Sequence, residues 1–136
     1  MWFKFGRALV VDCGMLVLLD LLLSFFHLAL VAFNLFGWIP RRTRKAHLIS
    51  VTLTAASWFV LGIWYGMGYC PITDWQWEVK EKLGERDLPA SFIKYFADKI
   101  SGRDIDADIV NIGTLIGFIF SVAATVYVNF IRRARS

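Results

Sequence analysis

The feature that most constrains this chain is a set of three long apolar runs, at residues 14–39, 46–69 and 109–131. Each run exceeds the roughly 20 residues that a helix needs to cross a bilayer core about 30 Å thick. Backbone polar groups in lipid must be satisfied within their own segment, so such runs fold as helices. The sequence therefore predicts an all-α fold: a polytopic membrane helix bundle with three transmembrane helices.

The composition agrees with this fold class and argues against a nucleic-acid partner. The chain is 57% hydrophobic and 19% charged, whereas a soluble domain carries about 25% charged residues. The net charge is +4, but the basic residues cluster at the ends of the apolar runs instead of forming a stripe with aromatic residues. We expect a single membrane domain over 1–136. Its expected partners are the lipid bilayer and either another membrane protein or a second copy.

Charge at the ends of the runs predicts the orientation. Residues 41–45 carry four basic side chains and no acid, and residues 132–135 carry three arginines. Three spans place these two segments on the same side, and the positive-inside rule assigns that side to the cytoplasm. We expect a multi-pass protein of the bacterial inner membrane, with its N-terminus outside and its C-terminus in the cytoplasm.

The first apolar stretch is too long for one upright span. Ala8 to Ile39 would extend about 48 Å as a helix. We therefore expect either one tilted helix or a bend near Gly14. Pro40 should end the helix.

The second connection, residues 70–108, is predicted to form a helical lid on the outer surface. Thr73 and Gln76 have the spacing of a capping box for a helix over 74–83. Trp75, Val79 and Leu83 lie on one face of that helix.

A second amphipathic helix fits residues 90–101, with Gly102 closing it. We expect both short helices to lie flat on the surface. In that position Trp75 and Trp77 would be presented to a ligand or partner.

Small residues spaced four apart predict close helix packing. The residues concerned are Gly62, Gly66, Gly113, Gly117 and Ser121. The alternative is the ordinary high glycine content of membrane helices.

Three polar residues within the apolar runs are candidate functional residues. His27 and His47 either form hydrogen bonds between helices or act as ligands or proton carriers. A b-type haem bound between the two histidines is an alternative. Their expected positions along the bundle differ by about 9 Å, which makes this geometry awkward. Asp20 either pairs with a Lys or Arg of the lid or lies hydrated in a cavity that opens outward.

The two cysteines allow one disulfide. Cys13 and Cys70 both fall near the outer boundary, where the compartment is oxidising; the alternative is two unpaired thiols. No metal-binding spacing, phosphate loop or nucleophile elbow occurs in the sequence. We therefore predict no metal site, no cofactor and no catalytic residue.

Several local segments resemble a known family. A His in the first span and His47 after a short basic connection are followed by the segment Cys70-Pro71-Ile72-Thr73-Asp74-Trp75. Further on, the chain reads Ser91-Phe92-Ile93-Lys94-Tyr95. This order resembles the small bacterial membrane proteins called domain of unknown function 2784, over about residues 18–131. The resemblance implies a polytopic membrane protein and carries no activity with it. It singles out Cys70, Pro71, Thr73, Asp74, Trp75, Ser91, Phe92 and Tyr95.

Three functions remain open from the sequence. We expect a non-enzymatic accessory or binding protein whose lid faces a ligand or partner. The first alternative is a redox protein that binds haem through His27 and His47. The second is the transport or handling of a small molecule or lipid through a cavity near Asp20 and His27.

Overall fold

Five helices form the part of the chain that the computed structural model describes, which is residues 2–135, with side chains from residue 13 onward. They are α1 (Trp2–Phe36), α2 (Arg44–Tyr65), α3 (Pro71–Lys82), α4 (Phe92–Ser101) and α5 (Ala107–Ala134). No strand occurs among these residues. Three segments are long and apolar enough to cross a membrane, namely Cys13–Phe36, Arg44–Tyr65 and Ala107–Ala134. The all-α prediction with three spans and two short lid helices is confirmed.

α1 is one continuous helix that passes through Gly14 without a break. Its 35 residues correspond to a length of about 52 Å. The helix ends at Phe36, and a short turn through Pro40 leads into α2.

The register between the helices shows how far α1 rises above its neighbours. Asn34 on α1 donates a hydrogen bond to Thr54 on α2 at 3.0 Å. Its other contacts on α2 reach back to His47, so Asn34 is level with about residue 50 of that helix. The short turn makes these helices antiparallel, so the end of α2 at Tyr65 lies near residue 19 of α1. The apolar segment of α1 from Cys13 to that level therefore extends about 9 Å past α2.

Polar side chains outnumber apolar ones in the buried interior of the described chain. The buried apolar residues are Val51, Val79, Phe92 and Val128. The buried polar residues are His27, His47, Thr73, Gln76, Lys80, Ser121 and Thr125. In a membrane bundle the lipid-facing surface is apolar and helices meet through small and polar residues. The large exposed apolar side chains on all three long helices fit the same arrangement.

The lid helices α3 and α4 pack against α1. Their side chains reach it from Asp20 to His27, which is about two helical turns. α4 ends at Gly102 as predicted, and it begins at Phe92, two residues after the predicted start. Ser91 accepts a hydrogen bond from the backbone N–H of Lys94, and Gly102 ends the helix in the left-handed region. Asp106 then caps α5 through the N–H groups of Asp108 and Ile109.

The predicted capping box at the start of α3 is wrong. α3 begins at Pro71, with Cys70 at the cap position and no side-chain capping bond. Pro71 fits the first position of a helix because its missing N–H is not needed there. Thr73 and Gln76 are instead buried, because this face of α3 turns toward α1.

Candidate functional site

A polar stripe on α1 forms one wall of the candidate site. Asp20, Ser24 and His27 are spaced i, i+4 and i+7, which places them on one helix face. His27 is buried, and Asp20 and Ser24 are half-buried. Buried polar groups in a membrane span are costly and need partners. The stripe finds its partners on the lid.

Gln76 of α3 joins the stripe from the opposite side. Its side-chain amide nitrogen donates to Asp20 at 3.2 Å and to the hydroxyl of Ser24. The Gln76 side chain is fully buried, and its carbonyl oxygen has no hydrogen-bond partner. One glutamine therefore connects two turns of α1 and keeps one acceptor unused.

Lys80 of α3 forms an ion pair with Asp20. The ammonium nitrogen of Lys80 lies 3.0 Å from the Asp20 carboxylate, and the side chains are 3% and 17% exposed. Pairing of this kind holds two elements together, because separating the charges leaves one of them unpaired in a poorly solvated place. Of the two alternatives predicted for Asp20, the structure has the pairing with a basic residue of the lid.

A second layer of polar contacts surrounds Lys80. Glu85 lies 3.4 Å from its ammonium group, and the ammonium also stands over the ring of Tyr95, 4.6 Å from the centroid. The Tyr95 hydroxyl donates to Glu85 at 2.9 Å. Burial lowers the pKa of Lys80, but hydrogen bonding to Tyr95 and Asp20 outweighs it, so this pKa lies above its ordinary value of 10.5. Lys80 therefore stays charged at neutral pH.

His27 closes the site at the end nearest the C-terminus of α1, through an aromatic stack. Its ring lies parallel to that of Phe92, with the centroids 3.8 Å apart and an interplanar angle of 9°. Phe92 in turn packs against Phe96 and Trp77. The Nδ1 atom of His27 is buried without a hydrogen-bond partner. The seam between α1 and the lid thus holds a second unused polar atom.

We call this arrangement the lid seam. It consists of Asp20, Ser24, His27, Gln76, Lys80, Glu85, Phe92 and Tyr95. The two charged carboxylates and one ammonium give it a formal charge of −1. The seam can bind a polar group through its unused atoms, or open by separating Lys80 from Asp20.

His47 belongs to a different place in the bundle. Its Nε2 lies 2.7 Å from the backbone carbonyl of Asn34, and its ring meets that of Phe33 edge to face. The amide of Asn34 also bonds to Ser50 and Thr54 of α2. His47 is fully buried, with Nδ1 unpartnered. It fixes the packing of α1 on α2 near the turn.

The two histidines do not fit a shared haem in this arrangement. Asn34, which His47 contacts, lies seven residues from His27 along α1, a separation of about 10 Å. Two axial nitrogens on one iron would have to lie about 4 Å apart. His27 also has one face covered by Phe92. The described residues contain no group of three His, Cys, Asp or Glu side chains that could hold a metal ion.

Only one of the two tryptophans of α3 is exposed as expected for a residue that faces a ligand. Trp75 is 60% exposed, as predicted for a presented side chain. Trp77 is instead part of the lid's own packing. Its ring contacts that of Tyr95, and its indole nitrogen donates to the Pro89 carbonyl at 2.7 Å. It therefore ties α3 to the segment before α4.

The small residues divide into packing and non-packing positions. A Cβ on Gly117 of α5 would lie 3.3 Å from Leu35 of α1, whereas one on Gly62 would lie 3.3 Å from the backbone of Met67, in the turn that follows its own helix. Ser121 is buried. A Cβ on either of the other two glycines would meet nothing within 4 Å, so neither packs against another helix of this chain, and packing between copies stays a prediction. Gly66 has φ +103° and ends α2, while Gly113 is exposed.

The two cysteines are unbonded. Cys13 is an exposed free thiol and Cys70 is a half-buried one. Cys70 stands at the start of α3, whereas Cys13 lies about two turns above Asp20 on α1. Of the two alternatives for this pair, the structure has the unpaired thiols and not the disulfide.

Comparison with known proteins gives one result. The family model described as "Protein of Unknown function (DUF2784)" matches residues 17–130, which is most of the chain. The chain belongs to the DUF2784 family. No curated protein and no solved structure matches it.

The DUF2784 motif residues singled out from the sequence mostly build the lid. Pro71 starts α3 and Ser91 caps α4. Asp74 accepts a hydrogen bond from the Tyr69 hydroxyl at 3.0 Å. Desolvation and this hydrogen bond raise the pKa of Tyr69 above its ordinary value. Thr73 is buried on α3. Phe92 and Tyr95 alone among them enter the lid seam.

Sequence reasoning missed Ser24, Gln76, Lys80 and Glu85 as members of the site. A signal for Ser24 was present, since it continues the spacing of Asp20 and His27 on one helix face. Gln76 and Lys80 carried no such signal, because their partners on α1 lie more than 50 residues away in the sequence. Glu85 joins the site only through Lys80 and Tyr95.

Proposed function

We propose that this DUF2784 protein is a non-enzymatic binding or accessory protein of the bacterial inner membrane, in which the lid closes over the polar stripe of α1. The Asp20–Lys80 ion pair is the observation that carries the proposal. It joins α1 to α3 across 60 residues of sequence, and it has to break before the stripe is exposed. A buried ion pair often serves conformational specificity and not net stability.

The proposed orientation places the lid outside and the C-terminus in the cytoplasm. It is supported by the two basic segments at residues 41–45 and 132–135, which follow the positive-inside rule. A C-terminal fusion to green fluorescent protein should fluoresce, and a C-terminal fusion to alkaline phosphatase should stay inactive. An active phosphatase fusion would reverse the orientation.

Access to Ser24 tests whether the lid opens. In a background with Cys13→Ser and Cys70→Ser, a Ser24→Cys variant should react slowly with a membrane-impermeant maleimide. Adding Lys80→Met should accelerate labelling about tenfold or more, because breaking a buried ion pair costs a few kcal/mol. Lys82→Met is the matched control, since Lys82 is an exposed lysine on the same helix. Equal rates in all three proteins would contradict a lid held by this pair.

A second candidate function is the handling of a small molecule or lipid with a polar head at the lid seam. The two buried unpartnered atoms, Gln76 Oε1 and His27 Nδ1, favour it, because buried polar atoms normally have partners. Mass spectrometry of molecules that copurify with the wild type and with a His27→Phe/Gln76→Leu variant tests it. A molecule bound to the wild type and lost from the variant would support this function. Identical copurifying molecules would count against it.

A further inference from the structure

The fold brings two basic segments together at the end of the bundle opposite the lid. Asn129 of α5 donates to the backbone carbonyl of Arg44 at the start of α2, at 3.3 Å. The last turn of α5 therefore adjoins the first turn of α2. We call the basic residues of these two segments the basic face; they are Arg41, Arg42, Arg44, Lys45, Arg132, Arg133 and Arg135.

The basic face has no Asp or Glu within its own end of the molecule. All 11 acidic residues of the chain lie either at Asp12 and Asp20 or within residues 74–108. Residues 21–73 and 109–136 contain none. The acidic side chains thus belong to the lid end, away from the basic face.

The side chains of the basic face are accessible beside apolar surface. Arg41, Arg42 and Arg135 are exposed. Ile39 and Phe130 nearby are 55% and 59% exposed. A ligand that contacts both the arginines and the apolar surface has an anionic head and a hydrocarbon body. A nucleic acid or a free anion would satisfy the charges alone.

The start of α2 adds positive character to the same surface. The Thr43 hydroxyl donates to the carbonyls of Gly37 and Pro40, at 2.6 and 3.1 Å. Its oxygen accepts no capping hydrogen bond from α2. The first N–H groups of that helix and the positive end of its dipole face the same side as the arginines.

We propose that the basic face binds anionic phospholipid, with a two-phosphate headgroup spanning the ends of α2 and α5 and the acyl chains lying against their apolar flanks. Basic residues at the membrane surface attract anionic lipid headgroups. Two adjoining basic segments suit two phosphates better than one. This proposal does not depend on the function of the lid seam.

Lipid binding to the purified full-length protein in neutral detergent tests the proposal, with cardiolipin as the probe. Native mass spectrometry and the rise in melting temperature on adding lipid are the readouts. The test variant is Arg41→Gln/Arg42→Gln/Arg132→Gln/Arg135→Gln. The matched control is Arg86→Gln/Arg103→Gln, which removes exposed arginines at the lid end. An Arg→Lys version of the test variant keeps the charge if the glutamine version does not fold.

We expect cardiolipin to bind the wild type at least about tenfold more tightly than phosphatidylcholine, and more weakly as salt rises. The glutamine variant should lose about tenfold or more of this affinity, and the control should stay within about twofold. The lysine version should retain binding.

Three results would overturn the proposal. The first is cardiolipin affinity in the glutamine variant within about twofold of the wild type. The second is inorganic phosphate competing as well as the lipid, which would indicate a simple anion site. The third is a short RNA displacing cardiolipin from the wild type, which would indicate a nucleic-acid surface.

Discussion

Lys80 on the lid helix α3 lies 3.0 Å from Asp20 on α1, although 60 residues separate them in the chain. The pair is buried on the lysine side, and Gln76 donates to the same carboxylate. This ion pair acts with the Gln76 hydrogen bonds and the His27–Phe92 stack to hold the lid on the longest helix of the bundle. The closed position of the lid and the charge balance of the lid seam both depend on the Asp20–Lys80 ion pair.

Breaking this pair should destabilise the protein. Lys80→Met leaves the Asp20 carboxylate without its cation, and we expect a loss of about 1–3 kcal/mol, below the value for a fully buried pair because Asp20 is partly exposed. Unfolding in detergent with increasing dodecyl sulfate measures the loss. The double variant Asp20→Asn/Lys80→Met should recover part of it, because no unpaired charge remains. Additive losses would show that the two residues do not interact.

The His27–Phe92 stack should tolerate an aromatic exchange but not a truncation. His27→Phe keeps the stack and removes a buried unpartnered nitrogen, so stability should change by less than about 1.5 kcal/mol. Phe92→Ala should cost about 3 kcal/mol or more, because Phe92 is 3% exposed and a cavity would remain. Phe59→Ala, at a residue 48% exposed, is the control. A large loss in His27→Phe would show that the imidazole nitrogens themselves stabilise the fold.

The link between α4 and α5 should weaken in acid. Hydrogen bonds from Lys94 and from the backbone N–H of Ile105 hold the pKa of Asp98 below its ordinary value of 3.8. Its contribution to stability is therefore fully present above pH 3.8 and is lost as the pH falls through the lowered value. The hydrogen-exchange protection factor of the Ile105 amide should drop in that range.

Asp98→Ala provides the comparison for this acid effect. In this variant the Ile105 amide should be poorly protected already at neutral pH and should show little further loss in acid. Glu81→Gln, which changes an exposed carboxylate on α3, should behave like the wild type. A wild-type protection factor that stays constant below pH 3.8 would disagree with the role given to Asp98.

Gly37 at the end of α1 should resist substitution. A Cβ there would lie 2.5 Å from the Phe33 carbonyl oxygen and 3.0 Å from the His47 ring. Gly37→Ala should therefore cost about 1–3 kcal/mol. Gly14→Ala, where a Cβ meets nothing within 4 Å, should be neutral or stabilising by up to about 1 kcal/mol. Equal melting temperatures for the two variants would refute the packing around His47.

The sequence allowed the spans and the lid helices to be predicted because both depend on local pattern. Hydropathy predicted the three long helices, and Gly102 predicted the end of α4. The capping box predicted at Thr73 is wrong because α3 begins earlier, at Pro71, and the Gln76 side chain hydrogen-bonds to α1. The Asp20–lid pair could be expected in kind, since an intramembrane carboxylate needs a partner. That Lys80 is this partner depends on how α3 packs, which no local pattern specifies.

The height of α1 has a consequence for the surrounding lipid. The leaflet on the lid side has to cover about 9 Å more hydrocarbon beside α1 than beside α2. A bilayer of even thickness covers both flanks only if the molecule leans or the leaflet stretches on one side. The protein should therefore perturb the bilayer asymmetrically and favour longer acyl chains along one flank.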